Sequence, residues 1–488
     1  MVEISTIPFK NKVYMKLFKD NFKNHLLFYG CGAVAFGVKA NGFNYLLLYF
    51  YSQIMGLPPE KVSFGLAIAL VIDAFTDPLI GTISDNFRSK LGRRHLFIYI
   101  FGLPAAISYY FLWSPPSLDQ DNLFIYFISL TILTRFLMTF YEVPSVALGP
   151  ELSLDYDRRT KLSAARYLFG WWGGLTMATL VYLVFLPEEK GGLNYLEGWS
   201  SYGLTASCLI IASIYCSGIG LHYEIPNLPQ ATSRRKPIRQ ILIYTIDAVT
   251  NRQFLALFSS ASFFAMAAGV TMSLGIYFTR HFWELSTAEI GILQLPLFLS
   301  AILASVIAPR FSQQLDKKRC AILCVILCIF VAPLPFILRF TGLFPENNSE
   351  FLLPLLMLFS FIETSLAIMA SIYFSAMFAD IVEDNQKKNF QRSEGLYYAA
   401  SSFTQKALNS LGILLAGQIL RLVEFPQDST EKSIPETVVN ELVLTSLICL
   451  AIIYFIAVSL LFFYNITRQT HNENLNLINR QEEKSGKV

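Results

Sequence analysis

Apolar residues in this chain gather into runs of about twenty, separated by short polar breaks. Twelve such runs can be drawn, at approximately 26–51, 61–83, 95–114, 123–148, 164–186, 201–222, 254–279, 288–309, 320–340, 352–380, 394–420 and 439–465. Twenty residues in helix cross about 30 Å of hydrocarbon. Within lipid the backbone must satisfy its own hydrogen bonds, so helices are the expected form. The longest polar stretch, Tyr223 to Arg252, contains Arg234-Arg235-Lys236 and three prolines and divides the runs six and six. The pattern therefore predicts an all-α membrane protein of twelve transmembrane helices in two pseudo-symmetric six-helix bundles. The expected boundaries are a terminal segment over 1–25, a bundle over 26–222, a linker over 223–253, a second bundle over 254–465 and a tail over 466–488.

Composition agrees with that reading. Of 488 residues 54% are hydrophobic and 15% charged, with a mean hydropathy of +0.47. Soluble chains carry about 25% charged residues, so this one lacks the polar surface to face water all round. A net charge of +3 and the lack of a large basic block argue against disorder and nucleic-acid binding. The seven cysteines lie in or beside apolar runs, which suggests packing residues rather than a disulfide framework. Cys320, Cys324 and Cys328 share one helix face but have no His or carboxylate partner in sequence to suggest a metal site. No cleavable leader is apparent before residue 25. Twenty-eight of the 38 Lys and Arg fall in the N-terminal segment, the even-numbered loops and the tail. The positive-inside rule then places both termini in the cytoplasm, with the protein multi-pass in the cell (inner) membrane.

Charges at membrane depth are costly, roughly 2.5–3.5 kcal/mol each on insertion scales, and mark function or pairing. They are Lys39, Asp73, Asp77, Arg135, Glu142, Arg166, Glu363 and Lys406. Asp73 and Asp77 stand four residues apart, so both carboxylates leave one helix face, and Pro78 weakens the ladder beside them. With Thr76 and Thr139 as further oxygens, such a cluster either holds a cation or takes a proton. A buried ion pair with Lys39 or Lys406 is the competing reading. Arg135 and Glu142, on one span, invite a pair of their own. No histidine cluster, nucleophile elbow or metal-ligand spacing suggests an enzyme or a cofactor.

The turn after the second span reads Gly81-Thr-Ile-Ser-Asp85-Asn-Phe-Arg88-Ser-Lys90-Leu-Gly92-Arg93-Arg94. It resembles the loop of the major facilitator superfamily whose acid and arginines latch a gate. Its second-half counterpart, Asp316-Lys-Lys-Arg319, is a degraded version. A weak repeat also links Pro150-Glu-Leu-Ser-Leu-Asp-Tyr-Asp-Arg-Arg-Thr160 with Phe378-Ala-Asp-Ile-Val-Glu-Asp384, an acid at the end of a span before a basic loop. Within the superfamily, Asp73-Ala-Phe-Thr-Asp77-Pro78-Leu-Ile-Gly81, Glu142-Val-Pro144, Ala379-Asp-Ile-Val-Glu-Asp384 and Glu394-Gly-Leu-Tyr-Tyr398 resemble the melibiose-permease type of glycoside–pentoside–hexuronide:cation symporters. That resemblance implies alternating access and coupling to Na⁺ or H⁺, with a small-molecule solute as partner and a monomer as the working unit. It implies a cation site at Asp73, Asp77, Glu142, Thr76 and Thr139. Lys39, Arg166, Lys406 and Glu363 would then serve solute and coupling, and Gly81, Asp85, Arg88, Gly92, Arg93, Arg94, Asp380 and Asp384 the gates. Gly37 and Val146 replace the sugar-binding aspartate and tryptophan of that family, which turns the expectation from galactosides toward uronates and other acids. A lysolipid or organic-acid carrier, or a receptor that kept the fold, stays open at this point.

Overall fold

A computed structural model describes residues 22–153, 156–228, 252–389, 409–426 and 434–466. Eleven of its helices are long and apolar enough to cross a membrane. In chain order they are α1 Phe22–Ile54, α2 Pro59–Asn86, α3 Gly92–Leu112, α4 Gln120–Gly149, α5 Lys161–Phe185, α6 Leu196–Gly220, α7 Arg252–Phe282, α8 Thr287–Ser312, α9 Lys317–Phe340, α10 Leu352–Phe378 and α12 Glu436–Leu461. At the eleventh expected span, helix is described over 409–422, here α11, and its expected beginning lies outside the described residues. Most of the expected linker, from 229 to 251, lies outside them too. Helix ends sit within a few residues of those read from hydropathy. Several helices continue past their apolar stretch, α4 to Leu152 and α10 to Asn389.

The packing repeats. α4 lies on α2 and α3, and α6 on α3; α10 lies on α8 and α9, and α12 on α9. The halves meet where α1 packs on α7 and α5 on α8. A third contact brings α11 against α2, with a Cβ built on Gly417 falling 1.9 Å from the Ser63 hydroxyl oxygen.

Small residues allow the tightest of these approaches. A Cβ on Gly37 of α1 would lie 1.8 Å from the carbonyl oxygen of Gly170 on α5, and one on Gly174 would lie 2.7 Å from the carbonyl oxygen of Gly37. Backbone thus touches backbone, the close packing that the Gly170-Trp-Trp-Gly-Gly174 stretch suggests in lipid. It also gives a physical reason why position 37 carries no acid: no side chain fits there.

Among the described residues the halves are joined at the end distant from the termini, where α1, α5 and α7 each carry a π-helical turn, at Phe50–Ile54, Val181–Phe185 and Phe278–Phe282. Ser52 and Tyr277 share a buried hydrogen bond of 2.6 Å, and Gln53 donates to the carbonyl of Pro426 at 3.2 Å. Glu188, in the turn after α5, accepts from the main-chain N–H and the hydroxyl of Thr287, both at 2.7 Å, and meets Arg280 at 3.4 Å. This state is closed at that end.

Candidate cation site and gates

α2 runs 28 residues with Pro78 inside it, and positions Asp73 in the middle of the bundle with its carboxylate toward α4. Asp73 is 2% exposed. Thr139 on α4 donates to its Oδ1 at 2.5 Å, and the Arg135 guanidinium donates to its Oδ2 at 3.2 Å. The guanidinium carbon of Arg135 also lies over the ring of Phe43 of α1, 4.5 Å from its centroid. One turn further along α4, Glu142 meets Lys39 of α1 at 2.7 Å, with side chains 9% and 4% exposed. Asp77, half-buried, and Glu142 both lie near enough to act electrostatically on Arg135. The structure therefore gathers Asp73, Asp77, Glu142 and Thr139, with Arg135 and Lys39 among them.

One sequence expectation is corrected by this geometry. Arg135 pairs with Asp73 on α2 rather than with Glu142 on its own helix, because the i to i+7 separation spans two turns while α2 lies alongside. Thr76 donates its hydroxyl hydrogen to the main-chain carbonyl of Asp73 at 3.1 Å, a bond internal to α2 that does not use the oxygen lone pairs. Lys39, expected on the solute side, meets Glu142. Arg166 lies apart from the cluster, donating to Ser145 at 3.0 Å with its guanidinium 5.3 Å from the ring of Tyr29. Glu363, on α10, lies within electrostatic reach of Tyr45 on α1 and of Cys328 and Tyr454. It forms no ion pair among the described residues. Lys406, and the side chain of Asp384, lie outside them.

At the end near the termini, the first-half latch is assembled around Glu151, an acid that sequence reasoning passed over. Arg93 and Arg94 both reach its Oε1, at 2.8 and 2.9 Å, and Arg94 also binds Asp85 and the Ser84 hydroxyl, the latter at 2.6 Å. Gly92 begins α3 at φ +72°, a conformation that suits glycine and lets the chain turn the two arginines back toward α4. Gly81 leaves room beside Val143, 3.6 Å from where a Cβ would stand. Arg88 is exposed and outside these pairs. In the second half Lys317 donates to Asp380 at 2.6 Å, an equivalent bond. The sign that could have revealed Glu151 was the repeat itself: Glu151 and Asp380 are the acids that follow Pro150 and Ala379 in matching segments.

A bundle of apolar spans with buried charge in its middle and ion pairs at its ends is the form of a polytopic membrane carrier. The model of the family described as MFS/sugar transport protein matches residues 28–468, and the chain belongs to that family. It is 24% identical to the inner membrane symporter YicJ of Escherichia coli over 91% of this chain and 92% of that one, and 20% identical to the isoprimeverose transporter of Lactiplantibacillus pentosus over 77% and 75%. The inward-open xylose transporter XylE from E. coli superposes with a TM-score of 0.59 at 12% identity, covering 94% of this chain and all of that one. The fold is that of the major facilitator superfamily, and the protein is a secondary transporter rather than an enzyme.

Proposed function

We propose that the protein imports a small polar solute, a sugar, glycoside or uronate, by symport with a cation, working as a monomer with both termini in the cytoplasm. The observation that carries this reading is the buried group of Asp73, Glu142 and Thr139 between α1, α2 and α4, with Asp77 beside it. Carboxylates in low dielectric have a strong preference for a compensating charge, and one whose partner changes during rocking of the halves links ion to solute reciprocally. Arg166, Glu363 and Lys406 are assigned to the solute side, and Asp85, Arg93, Arg94 and Asp380 to the cytoplasmic gates. With both termini taken as cytoplasmic, the Ser52–Tyr277 and Glu188–Thr287 contacts support closure of the opposite, outer end.

Counterflow in proteoliposomes tests the reading. Radiolabelled xylose, isoprimeverose, glucuronate and galacturonate are offered to vesicles preloaded with the same unlabelled compound. Accumulation with at least one of them is expected, and its loss in Asp77→Asn under an imposed ion gradient, with exchange retained, is the signature of coupling. No counterflow with any of the panel would reject a sugar or uronate solute.

A further inference from the structure

The family to which the chain belongs contains symporters, and a carboxylate cluster of this kind invites Na⁺ as the ion. The residues present do not fit it. Na⁺ is held by several hard oxygens turned to one point. Here Oδ1 of Asp73 accepts from the Thr139 hydroxyl at 2.5 Å, Oδ2 faces the Arg135 guanidinium at 3.2 Å, and Oε1 of Glu142 lies 2.7 Å from the Lys39 ammonium, so two of the three carboxylates are already paired with a fixed positive charge. All three carboxylates act on Arg135.

We infer that Arg135 is a tethered cation standing in the place of a metal ion, and that it makes the cluster unable to bind Na⁺. The inference rests on the transporter reading but sharpens it: of the two candidate coupling ions, Na⁺ is the one excluded. Arg135 cannot easily step aside. It is 5% exposed, in the middle of α4, and its guanidinium carbon lies over the ring of Phe43. Guanidinium is never deprotonated at physiological pH, so the positive charge is permanent. A second unit cation admitted at about 4 Å from it, at the effective dielectric of a protein site, would bind about a thousandfold more weakly than to the same carboxylates without the arginine.

Equilibrium dialysis of the purified protein against ²²Na⁺ in a choline chloride background, at neutral pH and with no solute, tests this. Parent protein with an intact cooperative melting transition is expected to show no saturable binding. Arg135→Ala is expected to gain one Na⁺ per chain with roughly a thousandfold higher affinity, and Arg135→Lys, which keeps the charge, to bind as little as the parent. If the alanine variant does not fold, Arg135→Gln replaces it, with the same gain expected. Saturable, one-to-one Na⁺ binding by the parent overturns the inference outright, and absence of any gain in folded, uncharged variants overturns the role of Arg135. Because the dialysis contains no solute, its outcome is separate from that of the counterflow experiment.

Discussion

Lys39 on α1 and Glu142 on α4 face each other at 2.7 Å in the middle of the first bundle, both nearly removed from solvent. Two helix turns back along α4 Arg135 meets Asp73, so two cation–carboxylate pairs lie along one side of α4, joining three helices. Neither pair is a strong stabiliser in itself, since desolvation offsets most of the attraction; breaking one is another matter, because a lone buried charge remains.

The first prediction follows from that asymmetry. Lys39→Met and Glu142→Gln should each lower stability by about 3–5 kcal/mol, as expected when half of a buried pair is removed. The double variant should recover much of the loss, with a coupling of about 0.5–3 kcal/mol. Melting temperatures of the parent and three variants in one detergent provide the check. Additive losses would mean that the two groups do not depend on each other.

Glu151 leads to a second expectation. Its single Oε1 accepts from both Arg93 and Arg94, and so ties the start of α3 to the end of α4. A hydrogen bond to a charged group contributes about 1.5–3 kcal/mol. Glu151→Gln should therefore raise local opening of the turn at residues 87–92 roughly ten- to hundredfold, read by amide hydrogen exchange. Arg88→Gln, outside the pairs, should leave the same amides unchanged. Identical exchange in the glutamine variant at 151 and the parent would remove Glu151 from the latch.

These residues also show how far the sequence could be read. Run length locates the helices because a bilayer demands it, and Asp73, Asp77 and Glu142 stand out because charge is rare at that depth. Partner choice was a different kind of question. Whether Arg135 meets Glu142 on its own helix or Asp73 on the next depends on how α2 and α4 are rotated, and the hydropathy pattern carries little of that information. Glu188 resembles any solvated acid at a helix end until distant segments are brought to it, whereas Glu151 was marked only by the weak repeat it shares with Asp380. Gly37 could be noticed as a departure from related symporters, yet its cause, a carbonyl of α5 pressed against it, belongs to the tertiary structure alone.

That contact sets up the third prediction. A methyl group at position 37 would meet backbone on two sides, the Gly170 oxygen at 1.8 Å and the Gly174 nitrogen at 2.9 Å, and backbone cannot swing away as a side chain can. Gly37→Ala should force α1 and α5 apart and lower stability by roughly 1–3 kcal/mol or more, as overpacking does. Gly275→Ala, where nothing lies within 4 Å of the added carbon, is the control and should be close to neutral. Comparable melting temperatures for the two variants would contradict the packing.

The last prediction concerns the closure at the far end. Glu188 is partly buried, which opposes its ionisation, but the hydrogen bonds from Thr287 and the charge of Arg280 outweigh that and hold its carboxyl below the ordinary value of 4.5. Its carboxylate also sits at the start of α8, where the unpaired N–H groups of a helix favour negative charge. For an acid with a depressed pKa the stabilising contribution is complete above the ordinary value and disappears as the pH falls through the lowered one. Closure should thus be insensitive to pH between about 5.5 and 8, and should weaken only in acid below the ordinary carboxylate range. Glu188→Gln, which cannot carry the charge, should be more open at every pH, with its acid-dependent step gone. A cysteine introduced at Ser52, behind this contact, reports the change through its rate of labelling by a membrane-impermeant maleimide; because that substitution removes the Ser52–Tyr277 bond, both arms are compared in the same Ser52→Cys background. Divided at each pH by the rate of a small-molecule thiol of ordinary pKa, which removes the loss of reactive thiolate in acid, the labelling rate should rise with Glu188→Gln at pH 7 and with acid in the parent background, but not with acid in the variant. A normalised rate that follows pH equally with and without Glu188 would place the acid-sensitive group elsewhere.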